Sequence, residues 1–239
     1  MRRIPITLLL LCAAAPMPLA ASGRAAPVVV ELFTSQSCSS CPPADALLAE
    51  LRRTRPDLLP LDFHVDYWNH LGWTDPYSSA EATDRQRRYA AALGSEVYTP
   101  QLVVGGARQV VGSDRAAVDA ALAAATAEQA SASPVALRLE RTGATLAIDV
   151  GTGPGQGELL LVGYDDRHTT AIGRGENGGR VLTEVNVVRS LHRLGAWSGT
   201  RLRLQAPSPA GEHAALLLQD PSGRILAAAV LSGGPATAG

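Results

Sequence analysis

The 239-residue chain sets 21 Lys plus Arg against 22 Asp plus Glu, a formal net charge of −1, and every one of those cations is arginine. That balance leaves no basic patch for nucleic acid, and no run past the first residues reaches the ~18 to 20 apolar residues that cross a bilayer as a helix. Three cysteines in this length are too few for a disulfide-built scaffold, so the fold must rest on hydrophobic cores.

In chain order, Arg2 and Arg3 precede an apolar run from Ile4 to Ala15, and small residues lead on to Ala26. Residues 1–26 read as a cleaved secretory signal, which predicts a periplasmic or secreted mature protein in a compartment that permits disulfides. Val28 to Phe33 is a near-continuous apolar run rich in β-branched residues, as in a strand buried on both faces. Cys38-Ser39-Ser40-Cys41 follows at once. Then Leu47, Leu48 and Leu51 recur at helical spacing, with Arg52 and Arg53 where cations suit the helix dipole. Because a residue before proline resists helical geometry, Pro42 and Pro43 predict a helix that starts at Pro43.

Leu58 to Tyr67 alternates, with Leu61, Phe63 and Val65 on one face and Asp62 and His64 on the other. This predicts a second strand, parallel to the first because a helix separates them. A loop with Trp68 and Trp73 follows, and Ser78 with Glu81 reads as a capping box for a helix that Gly94 stops. Val97 to Val104 predicts a third strand, Gly105-Gly106 a tight turn, and Ser113 or Asp114 the cap of a last helix. Thr126 to Pro134 is small and polar, and beyond it the period becomes twofold. The reading is therefore an α/β domain at 27–126, a linker at 127–134 and an all-β, sandwich-like domain at 135–239. Gly173 to Gly178 matches GxGxxG, but alternating Val181, Val185 and Val187 follow where a nucleotide fold requires a helix, so this is a hairpin loop.

Strand, CxxC, helix, strand, helix and a strand opening at Thr99-Pro100 resembles the thioredoxin-like order. The runs VELFTSQSCSSCPPADALLAEL, HVDYWNHLGWTDPY and GRGENGGRVLTEVNVVRSL resemble the bacterial secreted family of unknown function DUF1223. Together the resemblances imply a thioredoxin-like domain followed by a β domain, and a cis Thr99-Pro100 bond against the cysteine pair. They assign no substrate.

A thiolate attacks a disulfide, and a second thiol two residues away resolves the mixed disulfide before it diffuses off. Cys38, the first and more exposed, is the expected nucleophile and Cys41 the resolver, with Thr99 and Pro100 shaping the substrate edge. Glu31 is a candidate proton acceptor, and Tyr67, Trp68 and Trp73 candidate walls of a substrate groove. The expected function is an exported thiol–disulfide oxidoreductase or redox partner acting on protein thiols or disulfides of the cell envelope, without a cofactor. Two alternatives stand beside it. One is a copper chaperone using the cysteines with His64 or His70; the other is a non-catalytic envelope binding protein whose cysteines merely pin a loop.

Overall fold

The computed structural model describes residues 26–131 and 135–231, so the expected signal segment up to residue 25 lies outside the described residues. The elements begin β1 (Val28–Thr34), α1 (Pro42–Thr54), β2 (Leu58–His64), α2 (Ala80–Leu93), β3 (Gln101–Val104), β4 (Arg108–Val111) and α3 (Arg115–Ser131). Seven strands follow: β5 (Leu137–Thr142), β6 (Thr145–Val150), β7 (Gly157–Ala171), β8 (Val181–Trp197), β9 (Leu202–Pro207), β10 (His213–Gln219) and β11 (Ile225–Val230). The result is a mixed α/β fold built on a large mixed sheet with few helices.

Three local expectations are corrected. Helix α1 starts at Pro42, and Cys41 is already in the right-handed helical region at φ −78°, ψ −36°. The Cys41 carbonyl accepts from Ala44 N (2.8 Å) and Asp45 N (3.1 Å), while Pro42 has no N–H to lose at this position. These bonds offset the restriction on a residue before proline. Helix α2 is capped by Ser79, one residue later than expected, whose Oγ accepts from Ala82 N at 3.1 Å. Helix α3, capped by Asp114 through Ala117 N, runs on through residues 127–131, expected as linker. Ala, Glu and Gln are good helix formers, and Glu128 ties this last stretch to Arg108 and Arg224.

One sheet of order β11-β10-β7-β8-β2-β1-β3-β4 spans the chain, and a second sheet has order β5-β6-β9. β1 and β2 pair in parallel, Val28 opposite Leu58 through Thr34 opposite His64. On the other side of β2 lies β8, also parallel, with Asp62 opposite Val187. The strands of the second half therefore extend the sheet of the first.

Period-two alternation along β1 sorts its side chains. Val28, Val30 and Leu32 pack with Leu47, Leu48 and Leu51 of α1 and Val118 and Leu122 of α3. Val29 and Phe33 turn to the opposite face, with Phe63, Tyr89 of α2, Leu160, Val162 and Leu217. A third core joins the small sheet, through Leu139, Leu146 and Ile148, to Leu159, Leu161, Leu216 and Leu218. β7 thus feeds Leu160 and Val162 to one core and Leu159 and Leu161 to another.

Candidate functional site

β1 ends at Thr34, and the chain turns through Ser35, Gln36 and Ser37 into the N-terminus of α1. Cys38 N–H donates to Ser35 O and Cys41 N–H to Cys38 O, a tight pair of turns that brings the two cysteines to a Cα separation of 5.4 Å. They form a disulfide. The Thr99-Pro100 bond is cis, and Thr99 Oγ1 donates to Cys38 Sγ at 3.3 Å. Trp68 Nε1 in turn donates to Thr99 Oγ1 at 2.9 Å. Cys38, Cys41, Thr99 and Trp68 therefore meet, with Pro100 next to Thr99, although Cys38 and Thr99 lie 61 residues apart.

The expected exposure of Cys38 is corrected: both cysteines have 0% of their surface accessible, while Ser39 and Ser40 between them are exposed. Thr99 and Ser40 touch Cys38 Sγ, and the second half of the chain binds the backbone of the cysteine loop. Asn177, in the loop between β7 and β8, donates from Nδ2 to Gln36 O and Cys38 O, both at 2.9 Å. Beside it Glu176 Oε2 accepts from Ser39 N at 3.1 Å. Trp73 flanks the loop, with Nε1 donating to Gln36 Oε1 at 3.0 Å and its carbonyl accepting from Ser37 Oγ at 2.8 Å. Tyr67 lies against Trp68, ring centres 6.4 Å apart, and its hydroxyl donates to Gln86 Oε1 at 3.1 Å.

Glu31 is not brought to the cysteines, a second correction to the expected site. It shares its side of β1 with Val29 and Phe33, and its carboxylate is taken by Arg85, from Nε at 2.5 Å and Nη2 at 3.0 Å, and by the Tyr89 hydroxyl. Burial disfavours the Arg85 charge, but Glu31 outweighs it and the guanidinium pKa is raised.

A buried polar cluster lies on the other face. His64 Nδ1 is 2.7 Å from Asp75 Oδ2, and Nε2 is 3.4 Å from Asp62 Oδ2. Burial opposes charge on this ring, yet Asp75 and Asp62 together hold its pKa well above the ordinary value. Asp75, also bonded by Gln36 N at 2.8 Å, is lowered because His64 overcomes its desolvation. Burial raises Asp62, and burial together with Asp62 raises Asp45, whose Oδ1 accepts from Thr34 Oγ1 at 2.8 Å. Glu184 accepts from Gln36 Nε2 at 3.2 Å and is pushed up to about 7 by burial. Sequence alternation placed Asp62 and His64 on one face, but nothing local marked Asp45, Asp75 or Glu184 as their companions.

His64, considered as a copper ligand, thus has each ring nitrogen facing a carboxylate, and His70 sits on an exposed stretch of loop. Among the described residues no group of three or more His, Cys, Asp or Glu is arranged to hold a metal ion. Nor is any helix among them long and apolar enough to cross a membrane.

Comparison with known proteins places these observations. A family model described as a protein of unknown function, DUF1223, matches residues 29–219. An X-ray structure of a protein from Agrobacterium tumefaciens is 32% identical, with 91% of this chain and 99% of that chain covered and a TM-score of 0.76. HBP35 of Porphyromonas gingivalis is 15% identical, with 91% and 79% covered and a TM-score of 0.62, a likeness of fold. No curated protein matches the chain.

Proposed function

The chain belongs to the DUF1223 family of proteins of unknown function, and from that premise we propose that it is an exported thiol–disulfide exchange protein working through Cys38 and Cys41. The observation that carries the reading is the contact of Thr99, beside a cis proline, with Cys38 Sγ of a disulfide at the start of α1. Strand, CxxC, helix, strand, helix and cis proline before a strand is a thioredoxin-like arrangement, here extended by the sheet of the second half. The segment before residue 27 is read as an export signal, and the partners as thiols or disulfides of cell-envelope proteins.

Exchange runs in two displacements. A partner thiolate attacks Cys38 Sγ, the sulfur–sulfur bond breaks and Cys41 leaves as thiolate. The partner's second thiolate then attacks the mixed disulfide and releases Cys38, so two electrons pass from the partner dithiol to the cysteine pair. In the reverse direction Cys38 is the nucleophile and Cys41 the resolver, held close by the two-residue spacer. The dipole of α1 favours the thiolate form.

The test is the reduction potential of the pair, measured by equilibrating the protein in glutathione buffers and counting free thiols by mass spectrometry. A value between about −120 and −270 mV is expected, as for working exchangers. It should be accompanied by insulin reduction or disulfide isomerisation that disappears in Cys38→Ser. A potential below about −300 mV with neither activity would mark a structural staple and overturn the proposal.

A further inference from the structure

We infer that the loop of residues 172–180 is a cap that controls access to the Cys38–Cys41 disulfide, with Asn177 as its latch and specificity-determining residue. The inference takes its biological meaning from the exchange reading, because an exchanger whose sulfurs are sealed must be opened before any thiol can attack.

The loop is exposed at Gly173, Arg174, Gly175, Glu176, Gly178 and Gly179, yet Asn177 in its middle has 0% of its surface accessible. Past the buried Ile172 at its neck, Asn177 is the side chain of this loop that turns inward from exposed neighbours, and something holds it there. What holds it is the pair of 2.9 Å bonds from its amide to the carbonyls on either side of Ser37. The second contact, Glu176 with the Ser39 amide, is at the surface, where water competes with it. At the opposite end the loop is pinched by Gly179 N–H to Ile172 O (2.8 Å) and Ile172 N–H to Arg180 O (2.9 Å). The cap therefore has its own closed neck and can swing as a unit at the tip of the β7–β8 hairpin.

The latch is held on one side only. Both Asn177 bonds run from Nδ2, and no protein group donates to its buried Oδ1, so opening breaks two hydrogen bonds and no more at this side chain. The glycines allow the close seating: a Cβ on Gly175, at φ +77°, would lie 3.1 Å from Leu71 O and 3.3 Å from Trp73 Cβ. Closed, the cap gives an attacking sulfur no line to either cysteine. Open, it uncovers the buried sulfurs between the already exposed Ser39 and Ser40 and Thr99, and a bulky protein thiol needs a wider opening than a small dithiol.

The experiment follows the oxidised full-length chain in dithiothreitol, which gives two electrons and two protons to the disulfide and leaves as its own cyclic disulfide. Free thiols are trapped by alkylation and counted by mass spectrometry. Asn177→Ala should raise the reduction rate at least tenfold, and the gain should be larger when reduced thioredoxin, a folded protein dithiol, replaces dithiothreitol. A dithiothreitol rate within threefold of wild type overturns the cap. Should Asn177→Ala fail to fold, Glu176→Gln alters only an exposed side chain; it should more than double the rate, and an unchanged rate overturns the proposal as well. The two readings fail separately. A wild type that stays oxidised in every glutathione buffer sinks exchange, while the dithiothreitol rates of the variants still read the cap.

Discussion

At the scale of single residues, the site is governed by where carboxyl groups can hold a proton. Glu184, Asp62 and Asp45 are all raised, chiefly by burial, so the folded chain binds protons that the unfolded chain releases. For Glu184, raised to about 7 from 4.5, the stabilising contribution is complete below pH 4.5 and is lost as pH rises through 7. Its share of that loss is on the order of 3 kcal/mol, or about 10 °C in Tm for a chain of this size. Asp75, lowered, acts in the opposite sense and titrates below this window. Glu184→Gln keeps a neutral acceptor for Gln36 and should flatten the fall in Tm between pH 4.5 and 8, as read by calorimetry. An unchanged slope would assign the titration elsewhere in the cluster. Glu31, by contrast, is committed to Arg85 and Tyr89. A buried carboxylate on a strand near a cysteine pair invites a catalytic role on sequence grounds, and the partner on α2 takes it away.

At the scale of elements, β1, α1, β2 and α2 were legible because each carries a clear period and a bounded length. The CxxC with Thr99-Pro100 was legible because both motifs are short and chemically distinctive. What stayed hidden was contact across the chain. Nothing around Asn177 announces that its amide will meet Gln36 and Cys38, since a GxGxxG-like loop between two strands is ordinary turn chemistry. Over residues 127–131 the expected linker is helix for a local reason: the stretch is polar and small, yet helix-compatible, and α3 simply continues. The Gly105-Gly106 turn was expected, but its function in packing was not. Gly106 has φ +66°, and a Cβ there would fall 1.9 Å from Gly223 O, while Ile225 N donates to Gly105 O at 2.9 Å. This turn is the seat on which the β10–β11 hairpin rests. Gly106→Ala combines a left-handed backbone with a clash against main chain and should cost about 3 kcal/mol, measured as a lower denaturation midpoint at unchanged m-value.

At the scale of the whole molecule, the two halves share structure that neither can supply alone. β2 is flanked by β1 and β8, the core around Phe33 and Phe63 includes Leu160 and Leu217, and Arg85 donates to Gln219 at 3.2 Å. Tryptophan fluorescence samples both regions, since Trp68 and Trp73 lie at the cysteines and Trp197 in the core of the small sheet. Urea unfolding followed by this fluorescence and by far-ultraviolet circular dichroism should give coincident transitions. Two separated transitions would mean that the halves are independent bodies joined by a shared edge.

The separation of the latch from the cysteines also has a meaning in time. Asn177 is 139 residues downstream of Cys38, and chains are made from the N-terminus at about 5–20 residues per second. The thiols thus emerge on the order of ten seconds before the residue that will seal them. During that interval no part of the latch exists to restrict access to them.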